Sequence, residues 1–449
     1  MKKNIFVLLL VFIMSVLNAS SQGRGAQDRM MFLDYGDRFF AEAFVVPTSQ
    51  PDSATVTILF RMANDFLTFV RNDDRSDNGG EYVANMQVSI EVRDSMGVIR
   101  QRIPWKSNAY TNTFEETNSK TEFHYGWATL RVGPGTYTIA IELLAKKESQ
   151  QRQLRLPPVT FRSGRSKSPI ATPVFGEPQK SGALRPYVFG GNLAFGPRDA
   201  SAWIIVDDTS ETMYDYRLRQ LPYDIRDIRW WAVSDVVGEE RVQPRQNITL
   251  SSRSTNDIPL LESSSVGQGG VGLLNIDIPT TGLVPGRYQL DLVRRGSTDT
   301  IAVKFHVMWE LMPLSLRTIE YAIEILQYVT TEDELDVIDD GSDPERREKL
   351  MAWWKKQDPT PTTTWNERMS EYYRRVDQAF FAFSTIQEPD GARSDRGKIY
   401  ILHGPPTTTS KKMTTSDRPV EVWTYANKVG KTFTFETNDR GIVELMDIK

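Results

Sequence analysis

The chain has 449 residues, a length typical of about three domains. Of these residues 39% are hydrophobic and 25% are charged, a composition typical of a globular protein. It contains no cysteine, which excludes disulfide bonds and a cysteine nucleophile. The formal net charge is −4, and −6 without Lys2 and Lys3. This mild acidity argues against a nucleic-acid partner, because such partners need a basic face.

The first 21 residues have the pattern of a secretory signal peptide. Lys2 and Lys3 precede an apolar run from Ile5 to Leu17, and Ala19 and Ser21 provide small residues for cleavage. The apolar run is shorter than the ~20 residues needed to cross a bilayer. We therefore expect cleavage after Ser21 and an exported mature chain without a transmembrane segment. An uncleaved anchor is the alternative.

The region from 22 to 310 is predicted to consist of β-strands. Hydrophobic residues alternate with polar ones from Val56 to Phe60 and from Met86 to Val92, which is the pattern of half-buried strands. A short pattern also occurs twice, in which Pro-Gly precedes a tyrosine, Tyr137 or Tyr288, that opens an alternating strand. We expect a type II turn at each Pro-Gly pair.

The repeated pattern favours two Ig-like β-sandwich modules, at 22–165 and 166–310. The stretch 162–184 is rich in Ser, Pro and Gly and is the predicted linker between them. The alternative is that Pro-Gly and Tyr form a common turn and strand, without two related modules.

After Trp309 the hydrophobic residues recur at helical spacing. Asp343 and Pro344 are typical of a helix start, and Thr364 with Glu367 has the spacing of a capping box. We expect a helical segment at 311–385. Its last helix, 365–384, places apolar residues along one side: Met369, Tyr372, Val376, Phe380 and Phe383.

The segment 386–449 is predicted to be a small antiparallel β unit. We expect a turn at Asp395-Arg396-Gly397, in which Asp395 accepts local backbone N–H bonds and Gly397 has a positive φ. Ile399 and Ile401 would then begin a strand, and the helix 365–384 would cover the sheet. The predicted fold class is mostly β, with two Ig-like β-sandwich modules followed by a C-terminal α+β domain.

The helix 365–384, the Asp395-Arg396-Gly397 turn and the Gly404-Pro405-Pro406 segment follow one another in this order. Together they resemble the C-terminal domain of bacterial exported proteins called GWxTD-domain proteins. The run from Gly391 to Asp395, Gly-Ala-Arg-Ser-Asp, takes the place of the name-giving pentapeptide, with Ala392 in place of Trp and Ser394 in place of Thr. Flanking motifs extend the resemblance over roughly 90 residues, and an ordered set is more specific than one short motif.

The resemblance implies export to the periplasm or cell surface of a Gram-negative bacterium, and it names no activity. The candidate binding positions that it implies are Gly391, Ser394, Asp395, Arg396, Gly397, His403, Gly404, Pro405, Pro406 and Trp423.

Searching for catalytic chemistry leads us to predict no catalytic residue, no metal and no cofactor. The three histidines, His124, His306 and His403, are far apart in sequence and form no zinc-binding pair. The run 267–272 matches G-x-G-x-x-G, but a strand-like segment follows it, whereas dinucleotide binding requires a helix. The acidic loop 73–81 lacks the residue spacing of a calcium loop.

Two functions remain open at this stage. The first is a non-catalytic envelope protein that binds a partner protein or a glycan. The second is a hydrolase of an envelope polysaccharide or peptide, with Asp395 as a carboxylate and a helper near His403. A cleft around Asp395, Arg396 and His403 would favour the hydrolase, whereas a packed turn would favour the binding protein.

Overall fold

The computed structural model describes residues 38–48, 50, 52–73, 79–143, 152–162, 172–206, 208–221, 235–252, 258–265, 270–413, 418–426 and 429–449. The chain divides into two compact units, Gly36–Glu310 and Leu311–Lys449. The predicted signal peptide, 1–21, lies outside the described residues, as do residues 267–269 of the glycine-rich run and 74–78 of the acidic loop. The domain limits 22–165, 166–310, 311–385 and 386–449 stay predictions.

Two antiparallel sheets form the first half of the unit Gly36–Glu310, which we define as residues 38–162. One sheet has the order β1-β2-β6, with β1 (Phe39–Pro47), β2 (Ala54–Ala63) and β6 (Phe123–Val132). The other contains β3 (Phe69–Arg71), β4 (Tyr82–Asp94), β5 (Ile99–Thr111), β7 (Gly135–Leu143), β8 (Arg152–Arg155) and β9 (Val159–Phe161). A short helix, α1 (Phe114–Thr117), follows β5. The facing sides of the two sheets share one hydrophobic core.

A closed barrel and a further sheet form the second half, residues 172–310. The barrel contains β10 (Val174–Pro178), β11 (Leu184–Pro186), β13 (Ala200–Val206), β16 (Gln243–Ser251), β17 (Leu260–Ser265) and β18 (Val271–Ile278). The sheet contains β12 (Leu193–Ala194), β14 (Met213–Gln220), β15 (Val236–Arg241), β19 (Gly286–Arg294) and β20 (Thr300–Met308). Strand β10 lies inside the predicted linker, so that stretch is partly structured. Gly272 lies in β18, in agreement with the strand expected there.

Strand β2 differs from its prediction, because it is buried on both faces. Val56 and Ile58 face the core of the first half, as the alternation predicted. The intervening Leu59 is also fully buried, in a second cluster with Trp203 and Ile205 of the barrel. The alternating pattern identified the strand correctly. The threonines and the arginine on its second face resemble solvent-facing residues, so the sequence does not reveal that the barrel covers this face.

The repeated Pro-Gly and Tyr pattern forms the same local contact in both copies. Tyr137 donates a hydrogen bond from its hydroxyl to the carbonyl of Gly133 at 3.0 Å, and Tyr288 donates one to Val284 at 2.9 Å. Each tyrosine therefore ties its strand back to the preceding turn. The predicted type II turn is wrong at both Pro-Gly pairs, because Gly135 has a φ of 157°, nearly extended rather than near +80°, and Gly286 does not have a positive φ.

Helices dominate the start of the unit Leu311–Lys449. The described helices are α2 (Ile319–Glu324), α3 (Glu332–Asp339), α4 (Asp343–Lys356), α5 (Glu367–Ala382) and α6 (Asp395–His403). Ser342 caps α4 one residue before the predicted cap, and Pro344 lies in the first turn. The capping box at Thr364 is wrong, because Asn366 is the N-cap of α5 and its side chain accepts a bond from the Met369 N–H at 2.9 Å.

A small antiparallel sheet completes this unit, in the order β21 (Thr408–Met413), β22 (Pro419–Tyr425), β23 (Lys431–Thr437) and β24 (Val443–Ile448). The prediction that α5 lies across this sheet is only partly correct. Tyr373 of α5 donates to the Ala322 carbonyl of α2, so α5 packs largely on other helices. Its C-cap residue Phe383 contacts Trp423 of the sheet, with ring centroids 5.4 Å apart.

The protein is thus mostly β, with several sheets and a C-terminal region of helices and a small sheet. None of the described helices has the length and apolar character needed to cross a membrane.

Replacing Phe380 by alanine should destabilise the unit Leu311–Lys449 by about 3–5 kcal/mol, because its ring is 1% exposed and packs edge-on against Tyr321. Phe381 is 46% exposed and provides the matched control, with an expected cost of no more than about 0.5 kcal/mol for Phe381→Ala. Urea unfolding with limited proteolysis of this unit measures both. Equal protease resistance of the two variants would contradict the assignment.

Candidate functional site

The pentapeptide Gly391–Asp395 forms a tight turn that leads into a helix. Gly391–Arg393 is a 3-10 turn, and Ser394 is the N-cap of α6. The Ser394 hydroxyl accepts a hydrogen bond from the Gly397 N–H at 3.1 Å and donates one to the Gly391 carbonyl at 2.7 Å. Both hydrogen-bonding roles of this hydroxyl are therefore used within the turn.

The expected strand at Ile399 and Ile401 is wrong, because both residues lie in α6 and are buried there. The segment Ile399–Ile401 has three large apolar residues in a row, a pattern shared by short buried strands and buried helices. Ser394 was the available signal for a helix start, since serine is a favoured N-cap.

Gly391 and Gly397 are required by close packing rather than by a left-handed backbone. A Cβ at Gly391 would lie 2.4 Å from the Ser384 nitrogen and 2.5 Å from the Ala379 carbonyl oxygen, at the end of α5. A Cβ at Gly397 would lie 2.0 Å from the Gly391 carbonyl oxygen. The predicted positive φ at Gly397 is therefore wrong, because Gly397 is an ordinary residue of α6. The two glycines let the turn fit between α5 and α6.

Asp395 connects α6 to the last strand of the sheet. Its Oδ2 atom accepts a hydrogen bond from the Leu445 N–H in β24 at 2.7 Å. The predicted role as an acceptor of backbone N–H bonds is thus correct, but the donor lies 50 residues away rather than in the local turn. Sequence reasoning could not identify this donor, since the contact depends on how α6 is placed against the sheet.

Ala392 occupies the position of the motif tryptophan and is completely buried. Its N–H donates to Asp390 Oδ1 at 3.0 Å, and its carbonyl accepts from the Tyr328 hydroxyl at 3.1 Å. This position therefore serves interior packing in this chain and offers no stacking surface.

Arg396 and Trp423 converge on Glu421. The Arg396 guanidinium lies 3.3 Å from Glu421 Oε2, and the Trp423 indole N–H donates to Oε1 at 2.9 Å. Arg396 also lies over the Phe383 ring, 5.2 Å from its centroid. These contacts join α6, the end of α5 and β22.

His403 is the last residue of α6 and packs against the sheet. Its ring stacks on Phe433 with centroids 5.4 Å apart, and burial together with the nearby Lys431 and Arg375 lowers its pKa. Ser394 lies at the other end of the helix, roughly 13 Å away at 1.5 Å per residue. The helix geometry therefore does not pair His403 with the motif serine.

The Gly404-Pro405-Pro406 segment ends α6. Gly404 has a φ of 78°, a left-handed conformation that favours glycine, and its carbonyl accepts from the Tyr425 hydroxyl at 2.8 Å. Pro405 is exposed and Pro406 is half-buried. This segment turns the chain from the helix to β21.

Asp390 is the centre of a buried polar network that sequence reasoning missed. Tyr321 donates its hydroxyl to this carboxylate at 2.9 Å, and Arg393 donates its Nε–H to Oδ2 at 3.0 Å. Burial raises the pKa of Asp390, against the lowering effect of Tyr321 and Arg393. Burial and the neighbouring carboxylate also raise the pKa of Tyr321. The network holds α2 against the motif turn.

Asp377 is a second buried carboxylate that no sequence pattern predicted. It is 1% exposed and accepts bonds from the Leu314 and Ser315 N–H groups at 2.6 and 2.9 Å. The C-terminal candidate residues therefore form a packed scaffold. Asp395, Arg396 and His403 lie in packed surroundings rather than around a cleft.

Two concave sites lie on the outer face of the sheet β1-β2-β6, within the unit Gly36–Glu310. The first, which we call the arginine pocket, has a volume of about 370 Å³ and is lined by Arg61, Arg185 and Arg198 together with Glu177, Asp199 and Glu310. Arg61 is 5% exposed and forms an ion pair of 2.5 Å with Glu310.

Glu42 lies beside Arg61 on this face. Its Oε2 atom accepts a bond from the Gly191 N–H at 2.9 Å, whereas its Oε1 atom is buried without a hydrogen-bond partner. Burial raises the pKa of Glu42 to about 7, although the Gly191 bond and Arg61 act in the opposite direction. Glu42 is therefore a carboxyl group that changes charge near neutral pH.

The second site, which we call the threonine groove, has a volume of about 580 Å³. One wall is the outer face of β2 and β6, with Thr55, Thr57, Trp127 and Thr129, and the other wall is strand β16 of the barrel. Neither this groove nor the arginine pocket contains any of the motif positions predicted from the sequence. Alternation along β2 places Thr55, Thr57 and Arg61 on one face, and this was the available signal for both sites.

The comparisons with known proteins agree with the C-terminal motifs. The model of the GWxTD domain matches residues 289–444. This part of the chain is a GWxTD domain. The match begins in β19 and ends in β24, so it includes the motif turn, α6 and most of the small sheet. A search of the curated proteins finds none that matches the chain.

Replacing Asp395 by alanine should cost about 1–3 kcal/mol, because the Leu445 N–H loses its acceptor. Asp395→Asn retains a side-chain oxygen and should recover part of this loss. Asp447→Ala is the matched control, since this exposed carboxylate pairs only loosely with Lys449 at 3.3 Å and should contribute less than about 1 kcal/mol. Urea unfolding of the GWxTD domain measures these costs, and a parent-like transition for Asp395→Ala would refute the scaffold role.

Replacing Glu42 by glutamine should stabilise the unit Gly36–Glu310 increasingly as the pH rises from about 5 to 8. The folded-state pKa of about 7 lies above the ordinary value of 4.5, so the folded state retains a proton that the unfolded state releases within this window. The stability of the parent therefore falls as the pH rises through the window. The variant has no carboxyl group to titrate at this position.

The measurement is the difference in melting midpoint between variant and parent at several pH values. His124 has the opposite effect on the pH dependence of stability. Burial lowers its pKa to about 4, so the free energy of unfolding decreases as the pH falls below 6.5. Both proteins retain His124, so its contribution cancels in the difference. A difference that does not change with pH would contradict the account of Glu42.

Proposed function

We propose that this protein is an exported, non-catalytic protein of the cell envelope that binds a partner through the unit Gly36–Glu310. The observation that carries the proposal is a contrast between two sets of polar side chains. Ser394 and Asp395 of the GWxTD domain are used in internal hydrogen bonds. In the threonine groove, within the part of the chain that the structure describes, the hydroxyls of Thr55 and Thr129 have no partner.

Export is supported by the N-terminal sequence. Lys2 and Lys3, the apolar run Ile5–Leu17 and the small residues before Gln22 have the order of a cleaved signal peptide. Because the chain contains no cysteine, its stability in an exported compartment must come from burial rather than from disulfides. The periplasm or the cell surface of a Gram-negative bacterium is the proposed location.

A hydrolase is the alternative function. The contacts of the motif residues favour a hydrolase less than a binding protein. A general base must lie within hydrogen-bond reach of its substrate or nucleophile. Asp395 instead accepts from the backbone of β24, and His403 stacks on Phe433 at the far end of α6. The proposed partner class is an envelope protein or a glycan, and the acidic chain argues against nucleic acid.

The experiment begins with the mature protein isolated from the envelope of the native organism. Its first residue should lie near Gln22, whereas an intact Met1 in a membrane fraction would contradict export. Binding of the purified mature protein to a native envelope fraction is then compared between the parent and two variants.

Thr129→Arg places a bulky charge in the threonine groove and should reduce binding at least tenfold. Thr138→Arg is the matched control, because Thr138 is an exposed strand threonine of the same unit outside the groove. Both variants should retain the parental melting midpoint. Equal binding by the two variants, or hydrolysis of envelope polymer that depends on Asp395, would contradict the proposal.

A further inference from the structure

We infer that the threonine groove binds an uncharged oligosaccharide. This inference rests on the proposed function, since it names the chemical class of the partner for the same groove.

The lining of the groove carries no charge. None of the described lining residues is ionisable, and the polar ones are amides and hydroxyls: Thr48, Thr55, Thr57, Thr129, Gln246, Asn247 and Thr249. The arginine pocket on the same sheet face is the opposite case, because six charged side chains, three arginines and three carboxylates, line it. A charged ligand in the threonine groove would lose hydration without gaining a counter-charge, which disfavours binding. The groove therefore selects against charged ligands.

Several polar groups of the lining are available to a ligand. Among the described residues, no hydrogen bond engages the side chains of Thr55, Thr129 or Asn247. A hydroxyl both donates and accepts, and an amide offers two donors and an oxygen acceptor. Sugar hydroxyls also both donate and accept, so they match this set.

Apolar surface lies next to these polar groups. Trp127 is half-buried and lines the groove, and the buried side chains of Phe44, Leu261 and Val271 lie beside it. An aromatic ring can cover the apolar face of a sugar ring while its polar edge meets water. A site with an apolar base and a few placed polar groups is the usual form of a small-molecule site, and about 580 Å³ lies within the usual size range.

The wall formed by strand β2 disfavours an extended peptide. Peptides that add to a sheet need an open strand edge with unpaired backbone groups. Strand β2 is paired on both sides, with β1 and β6, so it presents side chains rather than an edge to the groove. Strand β16 is paired with β17 from Gln246 to Ser251, whereas its pairs with β18 are only Gln243 and Gln246. Recognition at the β2 wall therefore uses side-chain hydroxyls, which suits a saccharide better than a peptide.

The test uses oligosaccharides released from the envelope of the native organism, separated by anion exchange into a neutral and a charged fraction. Each fraction is titrated by calorimetry into the mature parent and into Thr129→Arg, Trp127→Ala and Thr138→Arg. We expect the neutral fraction to bind the parent and Thr138→Arg equally, and to bind Thr129→Arg and Trp127→Ala at least tenfold more weakly. Melting midpoints of all four proteins show whether any loss comes from unfolding.

The remaining outcomes separate this inference from the proposed function. Binding of the charged fraction alone, of neither fraction, or of the neutral fraction without any effect of Thr129→Arg would overturn the inference. If the envelope fraction still binds through the groove after periodate treatment but loses binding after protease treatment, the partner is a protein. That result would overturn the oligosaccharide and leave the proposed function standing.

Discussion

The buried charge of Arg61 is the constraint on which the unit Gly36–Glu310 depends. A buried guanidinium is costly unless it is paired, and Arg61 is 5% exposed. Its ion pair is with Glu310, at the end of the second half, and three rings surround its guanidinium at 4.3 to 5.3 Å: Phe40, Phe123 and Phe189. Glu310 and Phe189 belong to the second half. The charge of Arg61 on strand β2 is therefore compensated by residues of that half. The outer face of one sheet thus becomes an interior surface.

The same face also carries the two concave sites. Leu59 and Phe44 pack against Trp203 and Ile205 of the barrel in the middle of this face, and a concave site remains at each side. The residues on β2 decide the character of each site, with Arg61 in the charged pocket and threonines in the neutral groove. The GWxTD domain uses its polar residues differently. Its motif carboxylate and hydroxyl hold a turn, a helix and a strand together.

The order of strands and helices was predictable because it depends on local patterns. Alternation from Met86 to Val92 gave β4, and helical spacing gave α5. The errors arise where distant residues decide the outcome. The segment Ile399–Ile401 is helical because Ser394 caps it and Asp395 reaches β24, and neither contact is visible in an apolar triplet. The threonines of β2 looked like solvent-facing residues, and only the barrel reveals that they line a groove. The family match of residues 289–444 confirms the C-terminal resemblance, but the packing of the motif positions could not be inferred from their spacing.

The most direct test of this account is hydrogen exchange measured by mass spectrometry on the whole protein and its Arg61→Met variant. Loss of Arg61 leaves Glu310 buried without its partner, which should cost about 3–5 kcal/mol. We predict faster exchange in both halves together, in β2 and in β13 of the barrel, and near-parental exchange when Glu310→Met is added. Faster exchange confined to residues 54–63, with the barrel unchanged, would contradict the claim that the buried charge joins the two halves.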